Sequence, residues 1–483
     1  MNTGFKQKRK KWPWVFLFIF IFFFAGSFYV YSFVKNLTPD KLLQSEFVQK
    51  QIVKKIGEDN AEIVNLIPEF LGFHEPKTYL FLFLNNTELR PGGGFIGSYA
   101  TLKFTQGKMD ILQMGGSEDM DTATSEINPP QIIKDKLVVD RWYFRDSNWS
   151  PDFVSSSEKA LQFYKNGNNV GANEISGVIG VTTDVLEDLM KITGPFTVEG
   201  IDFTASNVVE KLEYEVEYGF DDRGLDAHSR KDIMETFMLS LLNHLKTDFF
   251  QNMDIYKDLA ITLLKEKNVV LYSLSPDWQK TLEKADFAGR MKASSGDYLM
   301  WVDANLSALK TDWAIRRNLQ YSLRQDEKKD YIAKATMNYL HQGKFDWRTT
   351  YYLSYARVYV PVGAQLISAN FAGQNIEKLK IDSGLENGRQ WFGTYISVEP
   401  GANKSLSFEY KLPEIVTNLL ETNNYNLLLQ KQIGMNNIYF TTDLQFAKNI
   451  STALPAEEEK NWGDSRYKFE TDLTTDFEFK VKF

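Results

Sequence analysis

The chain is expected to fold as an α/β domain followed by an all-β sandwich, carried on one N-terminal transmembrane helix. Three observations predict this. Residues Trp14 to Val34 form an uncharged apolar run; a middle region alternates short strand patterns with helical ones; the last third is built of aromatic-rich alternating segments separated by Gly, Pro and Asn. The expected boundaries are 1–11 for a cytoplasmic tail, 12–34 for the anchor, 35–76 for a helical stalk, 77–312 for the α/β domain with a helical extension, and 313–483 for the sandwich.

The apolar run holds 21 residues. At ~1.5 Å per helical residue it spans the ~30 Å hydrocarbon core. Lys6, Lys8, Arg9, Lys10 and Lys11 precede it, and Trp12, Trp14, Tyr29 and Tyr31 stand near its ends. The positive-inside rule and the aromatic belt therefore place the N-terminus in the cytoplasm and the bulk of the chain outside a plasma membrane. A cleaved signal peptide ending at Ala25-Gly26-Ser27 is the rival reading; the run continues past that site to Val34, which favours an anchor. Leu42, Leu43, Phe47, Val48, Ile52, Val53 and Ile56 then recur at helical steps, as a stalk or a packed helix would.

Within the α/β region, Tyr79 to Leu84 reads as a buried strand. It leads into the loop NNTELRPGGGFIGSY, Asn85 to Tyr99, whose second half alternates as a strand again. Gly92, Gly94 and Gly97 match G-x-G-x-x-G, yet a strand follows where a dinucleotide site needs a helix, so that function is excluded. Asp110 to Pro130 reads as a long acidic loop, and Arg141 to Phe153 (RWYFRDSNWSPDF) crowds charges and rings together. A helix over Ser155 to Tyr164, a strand over Ile175 to Val181, and a capping pair of Asp184 and Glu187 opening a helix that Gly194-Pro195 ends are expected in turn. Phe196 to Val198 is a short strand, and helices follow over Thr204 to Tyr218 and along the stripe from Ile233 to Leu245. Asp254 to Thr311 reads as mostly helical, with a strand near Val269 to Leu274.

Composition excludes several functions. A charge of −8 argues against nucleic acid, which calls for a basic surface. With no Cys and only four His, none spaced as a pair, neither a disulfide frame nor a zinc site is available. Arg90, Arg145, Arg223 and Arg230 are candidate phosphate ligands, because guanidinium groups bind phosphate bidentately. Gly92, Gly93 and Gly94 supply the backbone loop, and Asp146 with Asp152 are candidate Mg²⁺ ligands. His228 beside Asp226 lacks a positioned nucleophile and reads as ordinary structure.

Four motifs carry a resemblance: NNTELRPGGGFIGSY, DSNWSPDF, GVIGVTTDVLEDLMKITGPFTVEG with Asn207, and DANLSALKTDWAIRR. Together, over roughly Thr78 to Val362, they resemble domain-of-unknown-function family 4012, which consists of bacterial membrane-anchored extracytoplasmic proteins. The order of elements through YEVEYGFDDRGLDAHSRKDIMETFMLSLLNHL also looks like the core of the LytR-CpsA-Psr envelope phosphotransferases. That likeness implies a mixed sheet with helices, and transfer of a glycopolymer from a polyprenyl pyrophosphate, with arginines on the pyrophosphate and acids on Mg²⁺. Arg223, Asp226 and Arg230 match its second basic cluster and Arg90 falls near its first; Gly97-Ser98 stands where that family carries an Asp. The expected function is binding, and transfer, of a phosphorylated or polyprenyl-linked envelope glycan. The alternatives are a non-catalytic adhesion or assembly module with a degenerate α/β domain, and hydrolysis of the same pyrophosphate.

Overall fold

A computed structural model of the chain describes residues 62–120, 127–224, 232–248 and 252–483. The expected tail and anchor lie outside the described residues, as do most of the stalk and Asp226, His228 and Arg230. Among the described residues no helix is long and apolar enough to cross a membrane.

In chain order the elements begin with helix α1 (Glu62–Phe70) and strands β1 (Lys77–Asn85), β2 (Phe95–Thr105) and β3 (Lys108–Gly116). Helices α2 (Gln131–Leu137) and α3 (Phe153–Asn166) precede β4 (Ile175–Thr182) and α4 (Asp184–Thr193). Next come the short pair β5 (Phe196–Val198) and β6 (Ile201–Phe203), then α5 (Val208–Tyr214), α6 (Asp232–Asp248), α7 (Met253–Lys265), β7 (Val269–Ser273) and α8 (Pro276–Lys284). Two compact units share these elements. The first takes the described residues up to Leu82, then Ser98–Gly116 and Asn168–Phe287; the second takes Phe83–Gly97, Ser117–Gly167 and Ala288–Phe483.

The first unit is built on a five-stranded sheet of order β3-β2-β1-β4-β7. Its central strands are runs of apolar residues with both faces covered: Tyr79, Leu80, Phe81 and Leu82 of β1, and Val178, Ile179 and Val181 of β4, are all buried. The long acidic loop expected from Asp110 is corrected, because Lys108 to Gly116 pairs antiparallel with β2 through a Gln106-Gly107 turn. Lys108, Asp110 and Gln113 disguise that strand, since it lies at the sheet edge. Asp184 does not cap its helix: Thr183 is the N-cap residue, its side chain making no capping bond, and Asp184 and Glu187 lie in the first turn where they favour the helix dipole. Helix α5 runs on through a π-turn, Glu215–Gly219.

The second unit is a sandwich whose strands begin with β8 (Asp297–Asn305), β9 (Ile315–Gln325), β10 (Tyr331–His341), β11 (Tyr352–Val360), β12 (Gln365–Phe371) and β13 (Gln374–Asn375). They continue with β14 (Asp382–Glu386), β15 (Arg389–Val398), β16 (Asn403–Lys411), helix α9 (Glu414–Glu421), β17 (Asn424–Gln430), β18 (Ile438–Gln445), β19 (Thr452–Leu454), β20 (Arg466–Asp472) and β21 (Phe477–Lys482). One sheet has the order β13-β12-β16-β10-β9-β18-β20 and the other β14-β15-β11-β8-β17-β21-β19. A single core lies between them, with Trp301, Tyr352 and Leu427 from one sheet against Tyr321, Met337 and Phe408 from the other. Strand β9 alternates inward and outward residue by residue, as a half-covered strand should.

The helical reading of Asp254 to Thr311 holds in α7 and α8, with its strand at β7, and is corrected beyond Lys284, where β8 joins the sandwich ahead of the expected boundary at 313. Every residue of β8, DYLMWVDAN, is buried, so it shows no period-2 signal. The reason is a cover on its outer face. Ile132, Leu137, Trp149, Tyr355 and Tyr395 pack around Ala304 and Leu306, and Met291, Tyr359 and Trp391 around Met300 and Val302.

Candidate functional site

The loop between β1 and β2 is shaped by its own polar side chains. The Asn85 carboxamide oxygen accepts from the Thr87 backbone N–H at 3.0 Å and from its hydroxyl at 2.6 Å, which closes a turn. Glycine is required where the backbone then crosses itself. A Cβ on Gly94 would stand 2.5 Å from the Asn85 carbonyl carbon, and Gly93 has φ +125°. A Cβ on Gly92 would meet Ser156, Asn148 and Ser150 at 2.9 to 3.0 Å. The three glycines therefore serve close packing against the chain itself.

Arg90 is 2% exposed. Its Nε donates to Asp146 Oδ1 at 2.9 Å, one terminal nitrogen to the carbonyls of Asn305 (2.7 Å) and Leu89 (3.3 Å), and the other to Glu88 Oε1 at 3.2 Å. Four of the five guanidinium N–H groups are thus directed at oxygens of the chain itself. Burial opposes the charge, but Asp146 and Glu88 hold the Arg90 pKa above its ordinary value. Lys310 reaches Glu88 Oε2 at 2.9 Å, so the acid joins two cations.

The other candidates divide. Arg145 lies beside this pair, its Nε 4.0 Å from Asp146 Oδ2 and its guanidinium 4.5 Å from the Tyr143 ring centre, with a third of the side chain exposed. Asp152 sits at the N-terminus of α3: one oxygen accepts from Ser155 N at 2.9 Å and the other from Met291 N at 2.8 Å. A Mg²⁺ ion does not fit residues disposed this way, since Asp152 is a helix cap and Asp146 is an arginine partner. Among the described residues no group of three His, Asp or Glu side chains is arranged to hold a metal. Arg223 belongs to the first unit and pairs with Glu199 at 2.8 Å and Glu215 at 3.0 Å. Arg230 lies outside the described residues.

The loop continues into a second buried network built by DANLSALKTDWAIRR. Arg317 donates from Nε to Asp303 Oδ2 at 2.9 Å, and from one terminal nitrogen to Asp312 Oδ1 at 2.5 Å and the Tyr352 hydroxyl at 2.8 Å. The other Asp303 oxygen accepts from the Tyr339 hydroxyl at 2.7 Å and the Trp301 indole at 3.2 Å. Asp312 Oδ2 accepts from Leu89 N at 3.0 Å and from Asn305 at 2.9 Å, which ties the network to the Arg90 loop. Gln432 completes the tie by donating to the carbonyls of Arg90 (3.1 Å) and Asp303 (2.9 Å). Burial opposes the charge on Arg317, yet its surroundings raise its pKa well above the usual value, so it stays a cation inside the sandwich. Sequence reasoning missed Arg317 as a site residue. The signal was its phase: in Ile315, Arg317, Leu319, Tyr321 and Leu323 an arginine occupies an inward position among apolar residues.

A third arginine treats the DSNWSPDF motif in the same way. Arg357 donates to the Trp149 carbonyl at 3.0 Å with its guanidinium 5.0 Å from that indole, and Ser150 donates to Glu386 at 2.6 Å.

Comparison with solved structures yields faint likenesses. A Legionella pneumophila protein provisionally described as nutrient-binding aligns over 39% of this chain and 71% of its own, at 6% identity and a TM-score of 0.24. Leukotriene A4 hydrolase from Saccharomyces cerevisiae aligns over 35% of this chain and 28% of its own, at 9% identity and a TM-score of 0.21. An M1 zinc metallopeptidase from Deinococcus radiodurans aligns over 37% and 43%, at 11% identity and a TM-score of 0.19. Likeness at that level carries no functional argument. No curated protein matches the chain. The buried loop, the DSNWSPDF segment and the Gly-Pro helix end do fall inside one recognised unit: residues 74–216 match the model of the family described as a protein of unknown function, DUF4012.

Proposed function

We propose that this chain is a single-pass, membrane-anchored protein of the bacterial envelope whose extracytoplasmic part is a non-catalytic adhesion or assembly module. The observation that carries the reading is the state of Arg90: four of its N–H groups bond to Asp146, Glu88, Leu89 and Asn305, and 2% of the residue meets solvent. An arginine engaged in this way holds segments together, and a phosphate could reach it only by breaking ion pairs that are already desolvated. Support for the anchor comes from the sequence, from the basic N-terminus and the apolar run to Val34. The likeness to LytR-CpsA-Psr transferases has less behind it. Of the three arginines that carry it, Arg90 and Arg223 are ion-paired, and the candidate metal ligand Asp152 caps a helix.

The test uses the full chain in detergent micelles with Mg²⁺ and a polyprenyl-pyrophosphate-linked oligosaccharide. No turnover is expected, and no saturable binding that Arg145→Ala weakens. Mg²⁺-dependent release of the glycan from the lipid would overturn the reading in favour of transfer or hydrolysis. In cells, protease added from outside is expected to degrade the chain down to a membrane-embedded N-terminal stub. Complete protection in intact cells would overturn the topology.

A further inference from the structure

Exposed aromatic rings are few among the described residues, and half of them cluster. Among the described residues six Trp, Phe or Tyr side chains are more than a third exposed: Tyr214, Tyr218, Trp313, Phe345, Tyr351 and Trp462. Three of these stand on two adjoining loops of the sandwich, 306–314 between β8 and β9 and 342–351 between β10 and β11, where Leu309 is also exposed.

The two loops are knitted into one surface. Leu309 and Thr349 form a bridge, Lys310 N donates to the Arg348 carbonyl at 2.9 Å, and Thr350 N to the Thr311 hydroxyl at 3.1 Å. His341 holds the second loop at both ends, its Nδ1 accepting from Gly343 N at 3.1 Å and its Nε2 donating to the Thr350 carbonyl at 2.8 Å. Asp346 closes the turn between them by accepting from Arg348 N at 2.9 Å and Thr349 N at 2.7 Å. The rings are thereby fixed. Phe345 and Tyr351 meet edge to face at 5.1 Å, and the Arg348 guanidinium lies 4.6 Å from the Trp313 ring centre while 45% of Trp313 stays exposed.

We infer that this rim, Trp313, Phe345 and Tyr351 on the joined 306–314 and 342–351 loops, binds a neutral polysaccharide by stacking sugar rings on its aromatic faces. Charge selects the ligand class. Five charged side chains stand on the two loops: Lys310 pairs with Glu88, Asp312 with Arg317 and Lys344 with Asp346, and the fifth, Arg348, is 6% exposed with its guanidinium against the Trp313 indole. Neither an anionic lipid surface nor a polyphosphate meets the surplus of cations it needs. A sugar offers apolar C–H faces flanked by hydroxyls, and here exposed rings are interspersed with the hydrogen-bonding groups of Gln342, Asp346 and Thr350. Loops locked before binding lose little freedom on it, which favours a ligand that makes few contacts per sugar. The inference rests on the reading of the chain as a surface module and names the class of molecule that the module holds.

The experiment titrates the full chain in detergent micelles with three neutral probes, chitohexaose, cellohexaose and dextran, and follows tryptophan fluorescence and heat. Saturable binding to at least one is expected, weakened tenfold or more in Trp313→Ala and in Tyr351→Ala, with Phe345→Ala as the third variant and melting curves confirming that each folds. Absence of saturable binding to all three probes, or equal binding by wild type and the folded variants, overturns the inference. So does binding to anionic vesicles that the same variants abolish, which would make the rim a lipid contact. Failure here is distinct from failure of the module reading, which is decided by lipid-pyrophosphate turnover and by surface proteolysis.

Discussion

Two regions of the sandwich unit reverse the usual partition of residues, and they do so in opposite senses. Around Arg90 and Arg317, charged groups lie inside: Arg90, Asp146, Asp303, Asp312 and Arg317 are all buried. On the rim of loops 306–314 and 342–351, apolar rings lie outside. The interior charges are matched by hydrogen bonds from neighbouring chain segments, so their arrangement explains itself as structure. The exterior rings stand on loops joined to each other by backbone hydrogen bonds, and burial does not account for their exposure, so their arrangement points outward to a ligand. In this protein the residue types that most suggest ligand chemistry build the fold, and types that read as core are where binding is expected.

The largest effect that separates the two regions is expected at Arg317. Arg317→Met removes the sole arginine from two buried carboxylates, Asp303 and Asp312, whose other partners are neutral donors. An uncompensated buried charge costs about 3–5 kcal/mol, read as lost stability in chemical denaturation. A loss under about 1 kcal/mol would show that the network contributes little to folding.

A second buried carboxylate behaves differently. Asp297 of β8 is hydrogen-bonded to the hydroxyls of Tyr321 (2.5 Å) and Tyr425 (2.6 Å) and to Tyr298 N (2.8 Å). Burial pushes its pKa up to about 6 from 3.8, against those hydrogen bonds. Between these two values the folded state keeps a proton that the unfolded state has released, so this group's contribution to stability is full below pH ~4 and is lost as pH rises through ~6. A difference of that size corresponds to about 3 kcal/mol. Asp297→Asn is expected to remove that slope and to be more stable than wild type at pH 7. An unchanged slope would place the titration elsewhere.

Arg90→Met is expected to cost about 2–3 kcal/mol, less than Arg317→Met, because Arg145 lies near Asp146 and Lys310 stays on Glu88 when the guanidinium is gone. Arg90→Lys should recover only part of the loss, since an ammonium group cannot reproduce the fork that serves Asp146, Glu88 and Asn305 together. Full rescue by Lys would mean that charge alone matters there.

These differences also mark what the sequence could tell. Patterns set by local periodicity were legible: the strands at Tyr79 and Ile175, the helix ended by Gly194, and the alternation after Trp313 all stand where the residues place them. Strand β8 was not, because both of its faces are buried and one of the covers comes from residues 132–149, far away in the chain. Arg90 could be recognised as central from its loop, but its role depends on Asp146 and Asn305, which no spacing rule links to it. Arg317 was written in the strand pattern as an inward-phased arginine. Its partners Asp303 and Asp312 lie within the same motif, so the network was half visible before the fold was known.

The smallest effect on stability is expected on the rim, and its smallness is what gives it force. Phe345 is 61% exposed and its ring touches that of Tyr351 edge to face. Its removal takes little apolar surface out of a packed environment, so Phe345→Ala should change stability by no more than about 0.5 kcal/mol, as surface substitutions generally do. If the melting temperature holds while polysaccharide affinity falls, the ring is kept for what it contacts outside the chain. A loss of 2 kcal/mol or more would instead make Phe345 part of the clamp that His341 and Asp346 form, and the contrast between the two regions would disappear, both being structure.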